Sequence, residues 1–157
     1  MWLGWRQSVG VACAVITLAA GPGYGQALDT PSPLIVANDT GGNLRTRLAR
    51  IAVLRAEHRP VEVRGAVCYS TCTLYLGLPG TCVLPETVFG FHGPSTHGRA
   101  LEPAHFEQAS QVIVAHYPPV LHEWYMTVAR YELRGLLKVS GRKLAQIGAA
   151  QLCPDAV

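Results

Sequence analysis

The sequence predicts a single α/β domain. Short apolar runs of strand type alternate with stretches of helical periodicity in the order β-α-β-α-β-α, the pattern of parallel strands joined by right-handed crossovers. The length, 157 residues, suits one domain, since two would each fall below the usual size. With 49% apolar and 15% charged residues the chain can build a core, which excludes a disordered class.

Before the first element lies a segment of another kind. In residues 1–27 Arg6 is the sole charge, and an apolar run over residues 8–20 is followed by Gly21, Pro22 and Gly23, then by small residues at Gly25 and Ala27. That is the order of a secretory signal, with cleavage expected after Ala27. The run is shorter than the roughly 20 residues of a membrane span. The expected location is therefore periplasmic or secreted, with membrane contact only through an uncleaved signal.

The domain itself is expected over residues 28–157, opening with a linker at 28–33. Residues 34–37 read as a strand that ends in the turn signal Asn38-Asp39-Thr40-Gly41-Gly42. A helix follows from Asn43, with Leu44, Leu48, Ile51 and Leu54 on one face. Arg45, Arg47, Arg50 and Arg55 read as its solvated face, and Pro60 stops it. Residues 61–64 alternate like a strand. Residues 70–77 fit a short helix ended by Pro79-Gly80, and 82–84 and 88–91 read as strands. A loop is expected over 93–101, a helix over 103–115, a second helix over 120–137 after Pro118-Pro119, and a last helix over 140–147.

Charge removes one class of partner. Thirteen Lys+Arg against ten Asp+Glu leave +3, too little for a nucleic-acid footprint, and no aromatic residues interleave the helix arginines. The four cysteines beyond the signal are Cys68, Cys72, Cys82 and Cys153. An even number in an exported chain favours two disulfides, with three connectivities open. A zinc site is disfavoured, because Cys82 and Cys153 form no second pair at ligand spacing. His97, His105, His116 and His122 contain no helical i, i+4 pair and read as scattered surface histidines, so neither metal nor cofactor is expected.

Three pieces carry chemistry. Gly41-Gly42 follows a strand, Ser70 opens a helix, and His92 ends a strand. A glycine pair can turn an N–H towards a developing oxyanion with no Cβ in the way. A serine at a helix start lies beside free backbone N–H groups, including that of Thr71, and a histidine can take its proton. Ser70 fits an N-cap equally well.

The stretches Val67-Cys68-Tyr69-Ser70-Thr71-Cys72, Val83-Leu84-Pro85-Glu86 and Phe89-Gly90-Phe91-His92-Gly93-Pro94 resemble the Clp protease/crotonase-like superfamily, and more narrowly its exported, periplasmic ClpP-like members. The resemblance covers roughly residues 34–150. It implies a β-α-β spiral core, Ser70 as nucleophile, His92 as base, and an oxyanion site from Gly41, Gly42 and Thr71. Two departures stand out. Where the family carries an orienting aspartate, this chain has Gly135-Leu136-Leu137-Lys138-Val139, leaving Glu132 and Glu123 as nearby candidates. The N-terminal strand and helix of the family are also missing, which implies a shortened sheet with an open edge for a partner or second copy. Within this scheme the expected disulfides are Cys72–Cys82 and Cys68–Cys153.

Function divides accordingly. One reading is an exported serine hydrolase acting on peptide or protein acyl bonds. The alternative is a catalytically degenerate ClpP-like module that binds a peptide or protein in the periplasm. A homo-oligomer is compatible with both. An acyl-CoA enzyme is disfavoured by export, and a Cys68 or Cys72 nucleophile by an oxidising compartment.

Overall fold

The computed structural model of the chain describes Met1 and residues 31–154, so the expected signal peptide and its cleavage position lie outside the described residues. The fold is mixed α/β with parallel strand pairing. In chain order the elements are β1 (Leu34–Val36), α1 (Leu44–Ala56), β2 (Val61–Val63), β3 (Val67–Tyr69), a 3₁₀ helix (Ser70–Gly77), β4 (Cys82–Val83) and β5 (Val88–Phe91). There follow β6 (Ser95–Thr96), β7 (Arg99–Ala100), α2 (Pro103–Val114), α3 (His122–Thr127), β8 (Leu137–Ser140), α4 (Gly141–Gln146) and β9 (Gln151–Leu152).

One sheet has the order β1-β2-β4-β9, parallel throughout. A second has the order β3-β5-β8, with β3 and β5 parallel and β8 antiparallel. A parallel bridge between Asp39 and Cys68 connects the end of the β1 segment to β3. Ile51 and Leu54 of α1, Val61 and Val63 of β2, Val83 of β4, and Phe89 and Phe91 of β5 share one buried core. The apolar stripe of α1 was readable for this reason: Asn43 caps the helix by accepting from Thr46 N at 3.1 Å, which fixes where the 3.6-residue period begins. A cap of this kind contributes about 1 kcal/mol.

Three expectations need correction. The long helix over residues 120–137 does not form. It breaks into a 3₁₀ turn at Pro119–Leu121, α3, a second 3₁₀ turn at Ala129–Tyr131 and the strand β8. The backbone beyond Tyr131 serves sheet pairing instead: the Glu132 carbonyl accepts from Gly93 N at 2.8 Å, and Leu137 to Ser140 pair with β5. The loop over 93–101 contains a small hairpin, β6 with β7, turned by His97 (φ +51°) and Gly98 (φ +73°). Two successive residues of positive φ match the twist of a tight hairpin.

The third correction is the cysteine pairing. Cys68 is bonded to Cys72, and Cys82 to Cys153. The expected Cys72–Cys82 and Cys68–Cys153 pairs overlooked β9. That short strand lies beside β4, with Cys82 opposite Gln151, and Cys153 N donates to the Val83 carbonyl at 3.1 Å. Cys68 and Cys72 meet across the bend at Ser70, 5.3 Å apart between Cα atoms. Both Cys68 and Cys72 are therefore spent as nucleophile candidates. Two disulfides indicate an oxidising, non-cytoplasmic location. Among the described residues no helix is long and apolar enough to cross a membrane.

Candidate active site

Two strand ends and one turn converge on Ser70. The strand β3 delivers Ser70 at its C-terminal end, and the parallel β5 delivers His92 at the same end of the same sheet. Ser70 does not continue into an ordinary helix. Its φ is +55°, a left-handed conformation that non-glycine residues adopt at a cost of about 1 kcal/mol or more. The bend is held from both sides. The Cys68–Cys72 disulfide spans it, and the Ser70 carbonyl accepts from Thr73 Oγ1 at 2.7 Å. A serine on a sharp strand-to-helix turn projects its hydroxyl clear of the sheet, the geometry of a nucleophile elbow.

His92 is fixed just as closely. The preceding Phe91 is fully buried, its ring edge-on to Tyr117 and Trp124 at centroid distances of 5.6 and 5.2 Å. His92 Nε2 lies 2.7 Å from Ser70 Oγ, and Nδ1 lies 2.7 Å from the carbonyl oxygen of Gly93. A carbonyl only accepts, so Nδ1 carries the proton. Nε2 of the neutral ring is then the acceptor, and Ser70 Oγ–H donates to it. This is the tautomer a general base requires.

The predicted oxyanion residues divide. Gly41 and Gly42 both have positive φ, +102° and +144°. A Cβ on Gly41 would lie 2.5 Å from Ser70 Cβ and 3.0 Å from its Oγ, so only glycine lets the turn approach the serine. The Gly41 N–H, however, donates to Asp39 Oδ1 at 2.8 Å and is not free for an oxyanion. Gly42 and Thr71 line the cavity that also contains Ser70 and His92. That cavity measures about 270 Å³, and its walls include Leu44, Leu74, Ile113 and Tyr117. Among the described residues no acidic side chain lines it. Tyr117 lines this space while its hydroxyl is paired with Thr73 Oγ1 at 2.7 Å, and burial pushes its phenol far above the ordinary value.

Neither acid candidate occupies the orienting position. The Glu132 backbone lies beside the His92–Gly93 segment, but its carboxylate Oε1 accepts from Gly135 N at 2.6 Å and Arg134 N at 2.9 Å. The Gly135 bond above all, then the Arg134 bond, holds its pKa below the ordinary carboxylate value against a small desolvation effect, with nearby His92 contributing least. Glu123 sits in the first turn of α3, and neither ring bond of His92 goes to it. Among the described residues the partner of His92 Nδ1 is the main-chain carbonyl of Gly93.

Two residues of the site do not stand out in the sequence. Asp39 reads there only as part of a turn, although an Asp two residues before a glycine is the signature of a side chain that caps its own turn. Arg47 reads as part of a solvated face, yet its side chain is only 12% exposed and forms an ion pair with Asp39 at 2.6 Å. Of the histidines expected on the surface, His116 turns Nδ1 to the Val112 carbonyl and His122 turns Nε2 to that of Tyr117, each at 2.8 Å. No known family model and no curated protein sequence matches this chain.

Proposed function

We propose that the chain is an exported serine hydrolase with a ClpP/crotonase-like spiral core, acting on peptide or protein acyl bonds. The single observation that carries this reading is the Ser70 Oγ to His92 Nε2 contact of 2.7 Å, with the imidazole held in the accepting tautomer by the Gly93 carbonyl. In the first step Ser70 Oγ attacks the acyl carbon while His92 Nε2 takes its proton. The developing oxyanion is received by the N–H groups of Gly42 and Thr71. The imidazolium then protonates the leaving amine or alcohol, and the acyl group stays on Ser70. Water, deprotonated by His92, releases the acid and restores the serine. The apolar walls at Leu44, Leu74, Ile113 and Tyr117 suit an uncharged acyl side.

The Gly93 carbonyl orients the ring but offers a partial charge where a triad offers a full one. Loss of the acid from a serine triad lowers kcat about 10⁴-fold, so turnover is expected to be slow. A chromogenic ester of a short apolar acid tests the reading. The wild type is expected to show a burst of one product equivalent followed by slow turnover, and Ser70→Ala neither. Hydrolysis that persists unchanged in Ser70→Ala would refute it.

The alternative is a ClpP-like module that binds a peptide without cleaving it. It is favoured by the partner of His92 Nδ1, which among the described residues is the Gly93 carbonyl and not a carboxylate. Under that reading an extended apolar peptide binds wild type and Ser70→Ala equally and is recovered intact.

A further inference from the structure

Beside the Gly41-Gly42 turn lies a further hollow of about 310 Å³, lined by Asn43, Thr46, Arg47, Arg50 and Thr71 besides the turn itself. Arg47 reaches the turn from there, and one guanidinium makes four contacts. Its Nη2 bonds Asp39 Oδ2 at 2.6 Å, its Nη1 donates to the Tyr75 hydroxyl at 2.5 Å, and its Nε donates to Thr71 Oγ1 at 3.4 Å. The plane lies over the Tyr75 ring, 4.7 Å from the centroid. Asp39 passes the connection on: Oδ1 accepts from Gly41 N, while its backbone N–H bonds the Val67 carbonyl at 3.1 Å and its carbonyl accepts from Tyr69 N at 2.8 Å.

The two oxyanion donors come from separate parts of the chain. Gly42 lies on the turn before α1, and Thr71 opens the 3₁₀ helix after β3. Arg47 connects to both segments, to the turn through Asp39 and the Gly41 N–H, and to the Thr71 residue through its side-chain hydroxyl. We propose that Arg47, acting through Asp39, is the positioning residue that sets the spacing of the Gly42 and Thr71 N–H groups, and so controls the chemical step without touching substrate. The proposal rests on the hydrolase reading for its kinetic consequence but not for its structural one. A planar fork is needed to hold Asp39, Thr71 and Tyr75 at once, which a lysine cannot do.

Two measurements test it, on Arg47→Met, Arg47→Lys and Asp39→Asn in the oxidised protein. Amide hydrogen exchange reads the hold on the turn through the two amides bonded to Asp39. The Gly41 and Tyr69 amides are expected to exchange about tenfold faster or more in Arg47→Met, with the core amides of β2 and β5 unchanged. Ester hydrolysis reads the consequence. A drop in kcat of about 10- to 100-fold with KM within about threefold is expected for Arg47→Met, with Arg47→Lys failing to restore it. Because both act through one network, the Asp39→Asn and Arg47→Met effects on kcat should fall short of additive. Unchanged exchange at these two amides overturns the proposal whether or not the protein is an enzyme. Equal losses of kcat and stability that Arg47→Lys fully rescues also overturn it, because charge alone would then suffice. If exchange responds as expected but wild-type protein hydrolyses no ester, the hydrolase reading fails and the positioning of the turn stands.

Discussion

Ser70 holds a left-handed backbone conformation, and the side chain that would do the chemistry is not the one that conformation favours. Glycine would relieve the strain. Ser70→Gly is therefore expected to be more stable than Ser70→Ala by about 1 kcal/mol in urea unfolding, although both lack the hydroxyl. Equal stabilities would mean the bend is relaxed. Glu132 makes a second prediction. Its pKa is depressed in the folded chain, chiefly by the Gly135 N–H, so its contribution to stability is present above the ordinary carboxylate pKa and is lost as pH falls through the depressed folded value. The melting temperature of Glu132→Gln should lie below that of the wild type at neutral pH, and the gap should close in acid. A gap that is independent of pH would detach the effect from the carboxylate.

The two disulfides act at the scale of elements, and they divide their tasks by loop length. Cys82–Cys153 closes a separation of 71 residues and fastens β9 to β4, while Cys68–Cys72 closes a separation of only 4. Loop-closure entropy then assigns about 4 kcal/mol to the first and about 2 kcal/mol to the second. The double variant Cys82→Ala/Cys153→Ala is expected to lose more stability in urea, yet to retain the reactivity of Ser70 where it remains folded. Cys68→Ala/Cys72→Ala should lose less stability and more reactivity, because its bond spans the serine bend. The reverse order would contradict this division. At the same scale, α1, α2 and β5 could be read from the sequence, because a buried stripe or a bounded apolar run marks each. The strands β8 and β9 could not. Leu137 to Ser140 and Gln151 to Leu152 gain their strand character only from β5 and β4 alongside, partners far away in sequence. The cysteine connectivity followed β9 and was hidden with it.

Over the whole molecule, the site was more legible than its support. Ser70, His92 and the glycine turn stand out by residue type and order. Arg47 and Asp39 do not, because an arginine on an amphipathic helix reads as solvated until a turn from another part of the chain closes over it. The orienting group for His92 was invisible for a different reason: a backbone carbonyl leaves no mark in a sequence, so only acids could be sought. What unites the fold, the oxidised cysteines and the cavity is one claim, that Ser70 is a nucleophile activated by His92. A fluorophosphonate probe tests it most directly, read by intact mass and peptide mapping of the oxidised protein. One adduct per chain is expected, on Ser70, formed at least about 100-fold more slowly in His92→Ala. A folded wild-type protein that stays unmodified, or that is modified elsewhere, would contradict it.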